Sequence, residues 1–272
     1  MRSLALSDVD NHIRDDTCRN EQSDWQARVA RAFSRAAAHY DRRAGAQRHI
    51  GEALWQRLPE KAASVVDVGC ATGDWTRKLA ERYSEASIMG VDIAPGMLME
   101  AQKRGGRVRW REGSAEALPA GDRSVDLIFS NLALQWCRNI SAVMAEFARV
   151  LAPGGRAVFT TLLAGTLEEI GAAFQRPEAL LTYSSRADHR RAADAAGLRV
   201  TGERTHLERF YYPDMAAVMA SIKGVGAQIA RPQGVGLTRR DLKAAAQRME
   251  QRRTPDGLPV SYRCLTLTLE RP

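Results

Sequence analysis

The chain has 272 residues, of which 44% are hydrophobic and 26% are charged, and its formal net charge is +8. These proportions are typical of a folded globular protein, and a chain of this length buries enough surface to fold without disulfide or metal staples. The sequence has no apolar run near the roughly 18 residues that a membrane-spanning helix needs, so an integral helical membrane protein is excluded.

The positive charge is concentrated in the last third of the chain. Residues 1–170 contain 23 Lys and Arg against 22 Asp and Glu, whereas residues 171–272 contain 17 against 10. A basic surface attracts nucleic acid, acidic lipid, acidic protein or an anionic substrate. Only five of the forty cations are Lys, a bias that codon composition alone could produce, so both interpretations stay open.

Cysteine usage and the first residues indicate the compartment. The four cysteines are far apart in the sequence, with no C-x-x-C pair, which fits a reducing cytosol and argues against a structural metal. The N-terminus has early acidic residues and too short an apolar stretch for a secretory signal. We therefore expect a cytoplasmic protein without a bound metal.

The first part of the chain predicts a polar tail followed by helices. Residues 1–23 are polar and aperiodic, and we expect them to form a disordered extension. Residues 24–59 show apolar residues at spacings of three and four, which predicts two helices separated at Gly45 and ended by Pro59. We place these N-terminal helices in the same single domain as the rest of the chain, residues 24–272.

Residues 60–170 alternate between short β-branched strands and helices of about ten residues. The five predicted strands have the sequences SVVDVG, SIMGVD, RVRWR, SVDLIFSN and RAVFTT. Strands separated by helices form right-handed βαβ units and a parallel sheet. This region is predicted to be the cofactor-binding core of an α/β, Rossmann-like fold with helices on both faces of the sheet.

Residues 171–272 have a different pattern and are predicted to form a lid and the last strands. LRVTGERTHLERFYY reads as one long strand or two short ones, and YRCLTLTL alternates as a final strand. Two helices, 214–223 and 239–253, flank a Gly-rich segment between these strands. The sequence thus predicts a mostly parallel, seven-stranded sheet with a C-terminal helical lid insertion.

A glycine turn follows the first strand, in VVDVGCATGDW at 65–75. Gly69 and Gly73 would let the backbone approach a ligand where a Cβ would collide. The turn lies at the carboxyl end of a strand, where open α/β sheets bind ligands. A glycine turn alone is weak evidence, because many α/β proteins have one for structural reasons.

Asp92 ends the second strand and sharpens the assignment. An acid at this position accepts hydrogen bonds from the two hydroxyls of a ribose. The turn is G-x-x-x-G rather than G-x-G-x-x-G, and Asp67 within it would repel a pyrophosphate but suits the ammonium of a methionine moiety. The residues therefore favour S-adenosylmethionine over a dinucleotide.

Two further segments follow the third and fourth strands. In GSAEALP, Ser114 and the Ala115 amide could reach an adenine edge, and SNLALQW at 130–136 follows the strand where a methyl acceptor would stand. Carboxyl ends of parallel strands meet at one edge of a sheet, so all four segments are expected to line one cleft.

At these residues the chain resembles the class I S-adenosylmethionine-dependent methyltransferases and, more narrowly, the malonyl-acyl-carrier-protein O-methyltransferase (BioC) family of biotin synthesis. The resemblance runs from about Val29 to Leu269. It is carried by AFSRAAAHYD at 32–41, FSNLALQWCRN at 129–139, FTTLLAGTLEEI at 159–170 and SIKGVGA at 221–227. The chain departs from the family turn at Ala71, which replaces a middle glycine and must take a backbone compatible with a Cβ.

The resemblance implies methyl transfer to the free carboxylate of a malonyl thioester, on acyl-carrier protein or coenzyme A. The nucleophile is then already an anion, so no strong base is required, and no catalytic residue is assigned; the histidines are scattered. The cofactor-binding residues are predicted to be Tyr40, Gln47, Asp67, Gly69, Cys70, Ala71, Gly73, Asp92, Ile93, Met97, Ser114, Ala115, Asn131 and Leu132. The substrate-binding residues are predicted to be Tyr40, Gln135, Trp136, Lys223 and Arg209.

Lys223 is the first candidate for a cation that selects a free carboxylate over a neutral acyl chain, although a solvated charge at a helix end explains it equally well. Three alternatives to the malonyl substrate remain: another small acid, a nucleic acid, or no catalysis at all in an assembly protein on the same fold. Few aromatic residues and no added RNA-binding module argue against nucleic acid. We expect a monomer with no nucleic-acid or membrane partner.

Overall fold

A computed structural model describes residues 5–176, 180–224 and 238–272, with side chains from residue 22 onward except at 223 and 224. Within these residues seven strands form one sheet. The strands are β1 (Ser64–Val68), β2 (Ser87–Asp92), β3 (Val108–Glu112), β4 (Val125–Asn131), β5 (Leu151–Leu162), β6 (Arg199–Tyr212) and β7 (Leu258–Glu270).

The described helices connect these strands or precede them. They are α1 (Ala5–Arg43), α2 (Gly45–Trp55), α3 (Asp74–Arg82), α4 (Pro95–Gln102), α5 (Ile140–Val150), α6 (Glu168–Phe174), α7 (Arg186–Ala195), α8 (Met215–Gly224) and α9 (Arg239–Glu250).

The strand order is β3-β2-β1-β4-β5-β7-β6, with parallel pairing from β3 to β5 and antiparallel pairing of β7 with β5 and β6. This confirms the predicted mostly parallel, seven-stranded α/β fold. The chain runs outward from β1 to β3 and then returns to β4 on the other side of β1. The crevice at this reversal, beyond the carboxyl ends of β1 and β4, is where such sheets bind ligands.

Alternating side chains of the central strands are buried on both faces of the sheet. Leu127 and Phe129 pack with Leu54 of α2 and Leu79 of α3, whereas Ile128 packs on the opposite face, in the cluster that contains Phe147 of α5. A parallel strand covered on both faces is apolar throughout, which is why β1 and β4 read as continuous hydrophobic runs.

The β6–β7 pair extends past the edge of the sheet at which β1 and β4 end. β5 stops at Leu162 opposite Cys264, but β7 begins at Leu258 and pairs with β6 as far as Tyr212. Residues of α2, α6, α8 and α9 pack around this extension in a hydrophobic cluster of their own. The sequence left this segment open as one long strand or two short ones, and the structure shows one long strand, β6.

The structure differs from the sequence prediction at the N-terminus. Residues 5–23 were expected to form a disordered extension, whereas the backbone is helical from Ala5 and continuous with the rest of α1. Extending an existing helix adds one backbone hydrogen bond for each residue fixed, so a polar stretch can continue a helix that begins to pack at Trp25.

The prediction also missed α6 and α7. α7 begins with a capping box in which Ser185 and Asp188 exchange side-chain and backbone hydrogen bonds, a signal that the sequence S-x-x-D carries. α6 has no such cap, and Leu167 before it has a left-handed φ of +58°.

The part of the chain that the structure describes contains neither a membrane-spanning helix nor a cluster of metal-ligating side chains. No helix there is both long and apolar enough to cross a bilayer. No three His, Cys, Asp or Glu side chains in it are grouped so that they could hold a metal ion.

Candidate active site

The turn after β1 is held against β2. The backbone N–H groups of Gly69 and Cys70 both donate to the carbonyl of Val91, at 2.8 and 3.0 Å. Gly69 has a φ of +73°, and a Cβ there would lie 2.2 Å from the Cβ of Ala133. Only glycine satisfies both conditions, so the requirement for Gly69 comes from the close approach of the loop after β4.

Ala71 adopts a left-handed φ of +47°. This is not the backbone that a residue with a Cβ favours, and the strain of that conformation is about 1–2 kcal/mol for an L-residue. The conformation directs the Ala71 N–H to Asp92 Oδ2, at 2.8 Å. The hydrogen bond to Asp92 therefore holds Ala71 in a strained conformation.

Asp92 is fixed by backbone donors at the end of β2. Its Oδ2 accepts from Ala71 and its Oδ1 accepts from the N–H of Ala94 at 2.8 Å. Burial raises the pKa of Asp92 to about 6, so the group is mostly ionised at neutral pH. Each carboxylate oxygen can accept a second hydrogen bond, and Asp92 lines the larger of two adjoining cavities at this edge of the sheet.

The larger cavity, here called the first cavity, lies between α1 and the carboxyl ends of β1 to β4. Its empty volume is about 780 Å³, part of it open to solvent. Trp25, Val29 and Phe33 of α1 form an apolar wall, and Ser114 and Glu116 form a polar end. A mostly apolar cleft with a few polar groups is typical of small-molecule sites.

A second cavity of about 420 Å³ adjoins it. Tyr40, Gly69, Ala71 and Asn131 line both cavities, so the two meet at the glycine turn and the end of β4. Two buried amide oxygens among the residues that line this second cavity have no hydrogen-bond partner in the structure, Gln47 Oε1 and Asn131 Oδ1. A third oxygen, Asp74 Oδ2, also accepts no hydrogen bond but lies 3.9 Å from Lys78 Nζ. Unpaired buried acceptors are costly, and together they indicate a ligand that donates hydrogen bonds.

Asp67 adds an acid to the wall of the second cavity. It is 2% exposed, and Thr76 Oγ1 of α3 donates to its Oδ2 at 2.6 Å. Burial, opposed by the Thr76 hydrogen bond and increased by the charge of Asp92, raises the pKa of Asp67 to about 7. A bound cation would favour the ionised form of this carboxyl group.

Helix α1 is attached across the first cavity at several points. Trp25 Nε1 donates to the carbonyl of Trp136 at 2.8 Å, and the two rings are stacked at 6.5 Å. Ser34 Oγ accepts from the N–H of Gly96 at 3.1 Å. At the end of α1, the carboxylate of Asp41 accepts from Thr72 of the glycine turn and pairs with Arg104.

Tyr40 is the one α1 residue of the first cavity that was predicted from the sequence as a site residue. Val29 and Phe33 were interpreted only as part of an amphipathic stripe, and Trp25 only as the start of the helical pattern. That stripe continues to Gln22 and Gln26 at helical spacing, and all of them line the first cavity. Periodicity shows which face of a helix is covered, but not whether protein or ligand covers it.

The segment after β4 carries a second strained residue. Leu132 has a φ of +53°, and its carbonyl accepts from Gln135 Nε2 at 2.6 Å. Non-glycine residues held in this region cost about 1–3 kcal/mol and cluster at functional sites. Trp136 lines the first cavity together with Trp25 and Phe33. The ring of Phe33 contacts the ring of Trp136 edge-to-face, with 5.3 Å between the ring centroids.

Most of the predicted site residues line these two cavities. They are Tyr40, Gln47, Asp67, Gly69, Cys70, Ala71, Asp92, Ile93, Ser114, Ala115, Asn131, Leu132 and Trp136. The structure therefore brings together segments that are up to 96 residues apart in the sequence.

Four predicted residues are not among those that line the cavities. Gly73 is needed by packing, since a Cβ there would lie 2.3 Å from the Trp110 ring. Met97 is buried in a cluster with Ala37 and Ala94. Gln135 points back to Leu132, and Arg209 is an exposed residue of β6 whose Nε donates to Ser261 Oγ at 3.3 Å.

The fifth case is Lys223. Its backbone belongs to α8, but its side chain lies outside the described residues. Its proposed role in carboxylate binding remains a prediction.

The residues present fit S-adenosylmethionine. The buried, backbone-held Asp92 provides acceptors for ribose hydroxyls, and the apolar wall of the first cavity accommodates a planar base. Unpaired oxygens and Asp67 in the second cavity suit an ammonium group, while Arg48 in its wall suits a carboxylate. The two ends of an amino-acid nucleoside thus correspond to two cavities that meet at the glycine turn.

Comparisons with known proteins agree with this geometry. A family model described as a methyltransferase domain matches residues 65–155. The chain is 37% identical over 247 residues to a malonyl-acyl-carrier-protein O-methyltransferase of Hahella chejuensis, covering 87% of this chain and 88% of the relative. Among solved structures, the YcgJ protein of Bacillus subtilis has a similar fold, with a TM-score of 0.58 at 20% identity over 82% of this chain and 97% of that one.

One relative is longer than this chain. The biotin biosynthesis bifunctional protein BioHC of Cellvibrio japonicus is 38% identical over 253 residues, which cover 90% of this chain. The matched region is 50% of that protein, so the chain spans about half the length of this bifunctional relative.

Proposed function

The chain belongs to the malonyl-acyl-carrier-protein O-methyltransferases, and we propose on this premise that it methylates the free carboxylate of a malonyl thioester. The product is the methyl ester that primes pimeloyl synthesis for biotin. The observation that carries the proposal is the pair of joined cavities, with Asp92 in one and Asp67 in the other, in a chain 37% identical to a relative of that name.

The methyl donor is S-adenosylmethionine, as in the methyltransferase family to which the chain belongs. When bound, it supplies an electrophilic methyl group on a sulfonium. Asp92 would accept from its ribose, and Asp67, Asn131 and Gln47 would surround its ammonium. Gly69 and Ala71 bring the backbone of the turn to the junction of the two cavities.

The protein's part in the reaction is alignment and the exclusion of water. A malonyl carboxylate is an anion at neutral pH, so the step needs no proton transfer, and the lack of an assigned acid–base pair is consistent with it. Trp25, Val29 and Phe33 cover the first cavity with apolar surface. Removing water from an anionic nucleophile and holding it in line with the methyl group are both effective means of catalysis.

The acceptor is proposed to enter from the side of the lid formed by the β6–β7 extension, α8 and α9. Trp136 and Tyr40 are the predicted substrate-side residues that line the first cavity. Lys223 and Arg209 belong to the lid and are the proposed cations for the malonyl carboxylate. We propose acyl-carrier protein rather than coenzyme A as the carrier, because the excess of basic residues in 171–272 would attract an acidic protein.

Two further expectations accompany the proposal. The cytoplasmic location and the monomeric state predicted from the sequence both remain predictions.

The direct test is to incubate the protein with S-adenosylmethionine labelled in its methyl group and with malonyl-acyl-carrier protein. We expect a labelled, base-labile methyl ester on the carrier. Acetyl- and butyryl-carrier proteins, which lack the free carboxylate, should remain unlabelled. Malonyl-coenzyme A in parallel reactions measures the preference for the carrier.

The matched control is Asp92→Ala, which removes the acceptor proposed for the ribose without touching the lid. It should bind S-adenosylhomocysteine more weakly by about ten- to a hundredfold, the scale of hydrogen bonds to a charged group. Cofactor binding by the wild type with no ester on any malonyl thioester would contradict the proposal and favour the assembly protein.

A further inference from the structure

A polar cluster closes one end of the first cavity and joins α1 to the loop after β3. The Glu116 carboxylate accepts from Gln22 and, at 2.7 Å, from Gln26 Nε2, both of α1. Its other oxygen accepts from the N–H of Asn139 at 3.1 Å, before α5. Ser114 Oγ also accepts from Gln26 Nε2, at 3.3 Å.

The chemistry of this cluster fixes the orientation of the Gln26 amide. A carboxylate only accepts hydrogen bonds, so the NH₂ group of Gln26 must face Glu116. Its two protons are used by Glu116 and Ser114. The carbonyl oxygen, Gln26 Oε1, is then the part of the amide left to accept a hydrogen bond, and Gln26 lines the first cavity.

The order of the strands places this cluster beyond the ribose. Asp92 ends β2, β3 is the next strand outward, and Ser114 and Glu116 follow β3. A nucleoside whose ribose meets Asp92 therefore extends its base toward the loop after β3. The base would have the apolar wall of α1 against its face and the polar cluster at its edge.

We propose that Gln26 Oε1 accepts a hydrogen bond from the 6-amino group of adenine, and that Glu116 is a positioning residue that holds the Gln26 amide in this orientation. The cluster then presents acceptors and a negative charge to the edge of the base. Adenine offers a donor at this edge, whereas a 6-oxo purine offers an acceptor that Gln26 Oε1 would repel. Gln26 is thus a specificity-determining residue for the cofactor; the inference rests only on the cofactor part of the proposed function.

The test is calorimetric binding of three ligands that differ at position 6 of the purine: S-adenosylhomocysteine, its 6-oxo analogue S-inosylhomocysteine, and the analogue with hydrogen at position 6. The wild type should prefer the amino ligand to the hydrogen ligand by about 5- to 10-fold, the scale of one neutral hydrogen bond. The 6-oxo ligand should bind still more weakly. Gln26→Ala should lose most of these preferences, and its affinity for the hydrogen ligand should fall only as far as the loss of its bonds from α1 to Glu116 and Ser114 requires.

Gln22→Ala is the matched control, because Gln22 also donates to Glu116 from α1 but its bond does not orient Gln26. This variant should bind all three ligands more weakly by the same factor, and it should keep the preference for the ligand with the amino group. Glu116→Gln, which no longer dictates the direction of the Gln26 amide, should lower the preference as Gln26→Ala does. Melting temperatures of all variants establish that they are folded.

Two results would overturn the inference. If Gln26→Ala lowers the affinities for the amino ligand and the hydrogen ligand by the same factor, Gln26 serves only to attach α1. If the wild type binds none of the three, the cofactor assignment fails and the inference fails with it. Neither result depends on the malonyl acceptor, so a failure of methyl transfer is distinguishable from both.

Discussion

Gly69 allows the turn after β1 to take a left-handed backbone conformation and to lie against the loop after β4. Its φ of +73° acts together with the closeness of Ala133, whose Cβ would lie only 2.2 Å from a Cβ added at Gly69. Gly69→Ala should cost about 2–4 kcal/mol in the free energy of unfolding, of which about 1–2 kcal/mol is left-handed strain and the rest overpacking. Chemical denaturation measures the loss, and calorimetry should show weaker binding of S-adenosylhomocysteine.

Gly154→Ala separates strain from collision. Gly154 has nearly the same φ, +76°, but nothing lies within 4 Å of a Cβ there. It should lose only the strain part of the stability and bind the cofactor normally. Equal losses in the two variants would mean that the contact with Ala133 relaxes freely and does not shape the site.

Asp67 makes cofactor binding depend on pH. Its pKa is raised to about 7 in the folded protein, so the folded state binds this proton more tightly than the unfolded chain does. The resulting contribution to the free energy of unfolding is complete below about pH 4 and is lost as the pH rises through 7. A cofactor ammonium requires the ionised form. Affinity for S-adenosylhomocysteine should therefore rise roughly tenfold from pH 5.5 to 7, with release of protons measurable by calorimetry in buffers of different ionisation enthalpy.

Asp67→Asn is the control for this pH dependence. The amide cannot titrate, so the variant should bind weakly and release fewer protons near pH 7. The part of the pH dependence that belongs to Asp92, whose pKa is about 6, should remain. A wild-type affinity that stays constant across this range would refute an ionised Asp67 as the partner of the ammonium.

Lys223 tests how the malonyl carboxylate is selected. If it pairs with that carboxylate, Lys223→Ala should lower kcat/KM by roughly a hundredfold or more, because the substrate carboxylate loses its partner. A malonyl thioester of N-acetylcysteamine, which lacks the carrier, should show the same loss. A loss confined to the carrier-bound substrate would instead make Lys223 a surface contact, and Arg209→Ala would be the next variant.

At the scale of elements, α1 forms one wall of the first cavity and must be docked for the cofactor to be enclosed. The docking is close at Gly96 of α4, where a Cβ would lie 2.7 Å from the Cα of Ser34. Gly96→Ala should therefore displace α1 and weaken cofactor binding several-fold. Trypsin should then cleave faster at the arginines of α1, and saturating S-adenosylhomocysteine should slow this cleavage.

Gly121→Ala provides the comparison, since the nearest atom to a Cβ there is at an ordinary 3.7 Å. It should leave both cleavage and affinity unchanged. Alanine is also the better helix former at position 96, so a variant more stable and equally resistant to trypsin would show that α1 adapts to the added methyl group.

At the scale of the whole molecule, the uneven charge predicts how the carrier is recognised. The excess of basic residues in 171–272 should attract an acidic carrier, and salt screens such attraction at distances of about 10 Å or more. Raising NaCl from about 50 to 300 mM should lower kcat/KM for malonyl-acyl-carrier protein several-fold. The N-acetylcysteamine thioester should be much less affected, and equal sensitivity would assign the basic bias to codon composition.

The sequence alone was sufficient to predict the parallel sheet, the glycine turn at a strand end and Asp92 as a cofactor-binding residue. The buried strands are apolar along their whole length, and strand ends in a parallel sheet meet at one edge whatever the details of packing. For the same reason Ser114, Ala115, Asn131 and Trp136 could be placed near one another without coordinates.

Only the tertiary structure decided what covers that edge. The stripe of α1 that includes Trp25 and Phe33 reads identically whether it packs on protein or encloses a ligand, because hydrophobic periodicity records a covered face and not what covers it. The Gln26–Glu116 bond joins residues 90 positions apart. The left-handed Ala71 depends on its hydrogen bond to Asp92. Contacts of this kind arise from how elements dock, so no local pattern in the sequence announces them.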